Sequence, residues 1–205
     1  RVRLENPIYD VCFEETTVDF IVREKPTFDL IDEDIICMTN TPELELEIEN
    51  PNENNNTYTW TDETNTIISS LPQATFTKGG VYTVVATSIY GCTSEEQEIT
   101  INESSISTIN INDIEVVDDS ANNSITINTA DLGKGDYQFR LLDFDANIIR
   151  DYQDDPFFGN LEGGVYVIEV NDRNGCGSIP FEVSLLSFPK FFTPNGDGKN
   201  DVWQI

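Results

Sequence analysis

Apolar and polar residues alternate with period two along most of this chain. "ELELEIE" at 43–49 sets acids against aliphatic residues, so one face is wet and the other is buried. "TYTW" at 57–60 is β-branched and aromatic, the chemistry that strands favour. "VYTVVAT" at 81–87 and "EITI" at 98–101 continue the pattern, with turn residues between them. It returns in "SITINT" at 124–129, "DYQFRLLD" at 136–143, "NIIRDYQ" at 147–153, "GVYVIEV" at 164–170 and "FEVSL" at 181–185. No stretch sustains a helical period. The pattern predicts strands throughout.

The strands belong to a repeat. "GGVYTVVATSIYGC" ends at Cys92 and "GGVYVIEVNDRNGC" ends at Cys176, so Gly79 maps onto Gly163 with the same offset of 84 as the cysteines. A third, shorter copy, "RVRLENPIYDVC", reaches Cys12 and is followed by the alternating "TTVDFIV" at 16–22. A unit of roughly 80 residues is too long for a solenoid and fits an array of small domains. Strands about ten residues apart in such units predict tandem immunoglobulin-like (PKD-like) β-sandwiches, an all-β fold. The expected division is 1–25 for the last strands of a truncated repeat, 26–102 and 103–187 for two sandwiches, and 188–205 for a further segment. "REKP" at 23–26 and "NESS" at 102–105 are the expected linkers. The Gly-Gly pairs at 79–80 and 163–164 predict tight turns into the next strand.

Four cysteines change the picture. The order Cys37, Trp60, Cys92, with Tyr82 opening the strand before the last, echoes the immunoglobulin layout and makes Cys37–Cys92 the expected bridge. Spacing alone does not bring their Cα atoms within bonding range. Position 121, which matches Cys37 at the repeat offset, holds alanine, so Cys176 has no partner within its own repeat. Cys12 and Cys176 then read as remnants of a disulfide pattern suited to an oxidising compartment.

Charge and missing chemistry narrow the function. Asp and Glu outnumber Lys and Arg by 38 to 11, for a net charge of -27. Such a surface repels nucleic acid and anionic lipid, which need cationic partners. No run of apolar residues is long enough for a membrane helix, so no membrane insertion is expected. No histidine occurs, which removes the commonest general base and transition-metal ligand. A glycoside hydrolase would need two carboxylates facing each other across a cleft, and no cleft-forming insertion is visible. The expectation is a protein that is not an enzyme.

The stretch "FTPNGDGKNDVW", following an acidic repeat with the pattern GxYxVxVxDxxGC, resembles the sorting signature of gliding-motility-associated, type B substrates of the type IX secretion system. Its matching residues are Phe192, Thr193, Pro194, Asn195, Gly196, Asp197, Gly198, Asn200, Asp201 and Trp203. The resemblance implies export across the outer membrane, with display at the cell surface or release, and a partner in the type IX machinery. It also implies an adhesin-like protein in which these repeats serve as a non-catalytic stalk. The family's sorting domain continues further than this chain does, and Arg1 in place of a methionine reads as an interior cut; both imply a fragment.

Several candidates carry alternatives. Asn195, Asp197 and Asp201 alternate like the first half of a calcium loop, but Lys199 and the lack of a closing glutamate favour a plain turn. "DFDAN" at 143–147 has similar spacing, and Ile148 stands where glycine is wanted, so a hairpin turn is expected there. Tyr58 with Trp60, or Phe157 with Phe158, could stack on a glycan, and the loop "ENPNENNNT" at 49–57 could hold a glycan or protein ligand. Burial of Trp60 and Phe158 would argue for core instead.

Overall fold

The computed structural model describes residues 2–5, 13–52, 55–118 and 122–187, with side chains from Thr17 onward. Its strands are β1 (Val2–Glu5), β2 (Phe13–Thr16), β3 (Glu33–Cys37), β4 (Leu44–Glu47), β5 (Thr57–Asp62), β6 (Ile67–Ser69), β7 (Gln73–Phe76) and β8 (Gly80–Thr87). They continue as β9 (Gln97–Ser104), β10 (Ile114–Val117), β11 (Asn123–Ile127), β12 (Tyr137–Asp143), β13 (Ile148–Gln153), β14 (Phe157–Leu161), β15 (Gly164–Asp172) and β16 (Gly177–Leu185). Among the described residues the one helical element is a single 3-10 turn, Ile111–Asp113, closed by a capping box between Asn110 and Asp113. The protein is all-β.

The strands form sheets ordered β3-β9-β8-β5-β6, β4-β7, β10-β11-β14 and β13-β12-β15-β16, with β1 paired to β2. These are tandem immunoglobulin-like sandwiches. Backbone contacts divide the chain into two units that interleave along the sequence. One holds Arg1–Leu30, Glu47–Ala74 and Thr83–Glu98; the other holds Ile31–Leu46, Thr75–Tyr82 and Ile99–Ile205. The expected boundary at 102/103 falls inside β9, and "NESS" ends that strand instead of linking domains.

In the first unit, alternation in β5 buries Tyr58 and Trp60 while Thr57 and Thr59 face water. Phe28 meets Tyr58 edge to face at 6.0 Å, and the Trp60 indole N–H donates to the Leu71 carbonyl at 3.1 Å. That bond lets a fully buried tryptophan keep its polar atom satisfied. The run Thr17–Val22, expected as a strand, carries no ladder, and Phe20, Ile21 and Val22 are exposed.

In the second unit, β10-β11-β14 and β13-β12-β15-β16 close on one core. Ile125, Ile127, Phe139, Leu141, Phe158, Ile168 and Val170 fill it, each supplied by the inward phase of a strand. The side-chain period of two decides this, since a one-residue slip would turn every one of them outward. β15 pairs with β16 in unbroken register from Gly164↔Leu185 to Asp172↔Gly177.

The two copies match strand for strand except at their first. The orders β9-β8-β5-β6 and β16-β15-β12-β13 correspond, as do β4-β7 and β11-β14. β10 joins β11, antiparallel, whereas β3 joins β9, parallel, from Glu33↔Thr100 to Cys37↔Ser104. Each copy also ties its sixth-strand tyrosine back to the preceding corner. The Tyr82 hydroxyl donates to the Lys78 carbonyl, and Tyr166 to that of Glu162, both at 3.0 Å. This is the tyrosine corner of immunoglobulin-like domains.

Candidate functional site

A cystine lies where β3 ends. Cys37 bonds to Cys176 across a Cα separation of 5.4 Å, and Cys92 is a free thiol. The expected Cys37–Cys92 bridge is therefore incorrect. The ladder gives the reason. Cys37 stands beside Ser104 at the end of β9, whereas Cys92 sits in the turn before β9 begins, tied there by the Thr87↔Thr93 bridge. The eight residues of β9 separate the two positions, at roughly 3.3 Å per residue. No cystine spans that length.

The second unit packs a polar network around this bond. Ser104 and Asp172 are 0% and 2% exposed, and the Ser104 hydroxyl donates to Asp172 Oδ2 at 2.9 Å. The same carboxylate accepts the Cys176 N–H at 3.2 Å and, through Oδ1, the Asp136 N–H at 3.0 Å. Asn174 donates from its amide to the Ser104 hydroxyl at 3.1 Å, and the Ile106 N–H donates to the Thr39 hydroxyl at 3.3 Å. A buried carboxylate is tolerated because donors meet it on both oxygens. It holds the turn that carries Cys176.

A second contact braces the same strand. Glu103 accepts the Gly79 N–H at 3.0 Å and forms an ion pair with Lys134. The Lys134 hydrogen bond, seconded by the Gly79 N–H, holds the Glu103 carboxyl below its usual range. Gly79 is required here by close approach, since a Cβ would meet Glu103 Cγ at 2.6 Å and the Ile101 carbonyl oxygen at 2.9 Å. The first Gly-Gly pair thus seats a carboxylate as well as opening a strand.

The other sequence candidates separate cleanly. Trp60, Tyr58 and Phe158 are 0%, 4% and 1% exposed, so they are core and form no glycan platform. Phe157 is exposed without its neighbour. Residues 143–147 form the expected hairpin turn: Asp143 accepts from the Asn147 backbone at 2.8 Å and from its amide at 2.9 Å. Those bonds hold the Asp143 carboxyl below its ordinary value. Among the described residues no cluster of three or more Cys, Asp or Glu could hold a metal ion. No helix there is long and apolar enough to cross a membrane. The signature residues Phe192, Thr193, Pro194, Gly196, Gly198, Asn200 and Trp203 lie outside the described residues, as do the calcium candidates Asn195, Asp197 and Asp201.

Sequence reasoning missed Ser104, Asp172 and the partner of Cys37. One signal was present: Cys176 occupies the same repeat position as Cys92, so both were equivalent partners for Cys37.

No protein-family model matches the chain. No curated protein matches it. Solved structures similar to it include the N-terminal four Ig domains of Dscam1 isoform 6.44, at 13% identity and a TM-score of 0.43. That match covers 83% of this chain and 47% of the other, so this chain spans about half of its length. The fibronectin(III)-like modules of Clostridium thermocellum CbhA match at 14% identity and a TM-score of 0.41, over 79% of this chain and 94% of theirs. SGBP-B of the Bacteroides ovatus mixed-linkage glucan utilization locus, solved in complex with a mixed-linkage heptasaccharide, matches at 11% identity and a TM-score of 0.34, over 80% and 48%.

Two measurements check this site. Replacing Cys37 and Cys176 together by alanine opens a loop of 139 residues and should lower unfolding stability by about 5 kcal/mol on chain entropy. Urea denaturation reads the change, and an unmoved midpoint contradicts the account. For Glu103, the folded pKa lies below the unfolded 4.5, so its contribution is complete above that pH and fades as pH falls through the folded value. The stability difference between the native chain and Glu103→Gln, under about 1 kcal/mol because Lys134 is exposed, should shrink on acidification below that point. A constant difference across pH rules the pairing out.

Proposed function

We propose that this chain is a load-bearing, non-catalytic stalk segment of a secreted cell-surface protein. The single observation carrying this reading is the cystine that joins Cys37 to Cys176. A pull along the chain enters before β3 and leaves after β16. Tension then crosses one covalent bond and bypasses the chain between them, a sequence separation of 139. A spacer under tension gains from such a bypass, because the sheets behind the bond bear no load. The net charge of -27 fits the same role, because like-charged neighbours repel and stay separate.

Export by the type IX system, with surface attachment or release, completes the reading. Its support is the stretch "FTPNGDGKNDVW" at 192–203, which resembles the sorting signature of that system's type B substrates. The adhesive target would then belong to another part of the protein.

Single-molecule pulling tests the mechanical part. Under oxidising conditions the chain should extend by about 490 Å less than after reduction, at roughly 3.5 Å for each residue step of the separation of 139. Equal extension in both states removes the stalk argument. For export, Asp197→Ala with Asp201→Ala in the full-length protein should abolish surface labelling while the total amount in cells is kept. Unchanged labelling would overturn the sorting reading.

A further inference from the structure

We propose that Cys92 is the acceptor half of a second cystine of the same type, made with the strand-end cysteine of another repeat of this kind. The occupied copy in this structure carries the inference. Cys176, at the repeat position of Cys92, is bonded to a cysteine that closes a first strand beside Ser104. The two turns are built alike. Gly91 and Gly175 both take positive φ, at 80° and 88°. The Gly91 N–H donates to the Ser88 carbonyl at 2.9 Å, and that of Gly175 to the Asp172 carbonyl at 3.2 Å. Each cysteine N–H donates to a buried side-chain oxygen at 3.2 Å, Ser88 Oγ in one copy and Asp172 Oδ2 in the other. Cys92 is thus presented as Cys176 is presented, but without its bond.

The surface around Cys92 differs as the partner requires. Where the bonded turn sets Asn174 against Ser104, the free turn exposes Ile89 and Tyr90, at 64% and 53%. Arg23 lies 4.0 Å over the Tyr90 ring, next to the exposed apolar run Phe20–Val22. Exposed Ile89 and Tyr90 in the turn that carries a half-buried thiol suit another sandwich end, not bulk water. Cys12 is excluded as the partner, because in the sequence repeat it matches Cys92 and Cys176 and not Cys37. This inference goes beyond the stalk reading: it would stand if export followed another route.

The bond forms by two exchanges with a donor disulfide, either a dithiol oxidase or an oxidised small thiol. The Cys92 thiolate attacks one donor sulfur and expels the other as a thiolate. The partner thiolate then attacks Cys92 sulfur in that mixed disulfide and releases the second donor thiolate. One S–S bond is lost and one gained. The donor is reduced to two thiols, which take up the protons of both cysteines.

The test is disulfide mapping of the full-length polypeptide, purified without reductant, alkylated, and digested, using preparations in which Cys37–Cys176 is recovered as cystine. The expected result is a peptide carrying Cys92 joined to a cysteine that ends the first strand of another repeat, and released by reduction. Recovery of Cys92 as the alkylated free thiol overturns the proposal, and so does its recovery joined to Cys12 or to a cysteine elsewhere in a repeat.

Discussion

One covalent bond sets the terms for the rest of this structure. A cystine between residues 37 and 176 closes most of the described chain into a loop, and such a closure acts chiefly on the unfolded state. It can form only if β3 runs along β9 to its end and the β15–β16 turn arrives at the same place. The buried Ser104–Asp172 pair serves that arrival. Its hydrogen bonds hold the backbone of the Cys176 turn, so the sulfur is aimed before it is bonded. Small sandwiches bury a limited share of their chain, and a crosslink of this reach compensates.

The repeat shows how little must change to create this bond. Both copies share sheet order, tyrosine corner and glycine turn. Only the first strand differs, joining β9 in one copy and β11 in the other. A first strand laid along the last one finishes where the chain leaves the sandwich, which is where a strand-end cysteine meets a turn from the next copy. Architecture is shared; the choice of neighbour for one short strand decides the covalent topology.

Scarce positive charge is placed where it supports strand geometry. Arg140 pairs with Glu169 across the β12–β15 ladder and stacks 4.5 Å over the Tyr152 ring. Burial pushes the Glu169 carboxyl upward, yet hydrogen bonds from Arg140, Ser178 and Tyr152 bring it below its ordinary value. Arg173 holds Asp136 and Asp154 beside the cystine-bearing turn. Asp172 and Asp113 are buried; charge on exposed acids is screened by salt and keeps copies apart.

Period-two alternation by itself determined the fold class, because burying one face of a strand admits only one phase. The matching GG…GC stretches gave the repeat offset, and the turn residues at 143–147 gave the hairpin, whereas the core role of Trp60 was decided by its burial. Short strands escaped it: β3, with two acids and three apolar residues in five positions, has no readable phase, and neither does β6. The partner of Cys37 was beyond the sequence altogether. Cys12, Cys92 and Cys176 hold one and the same repeat position, so local pattern ranks them equally. Only tertiary structure could choose, since a disulfide depends on a Cα separation of a few ångströms, and that separation is set by which edge β3 takes.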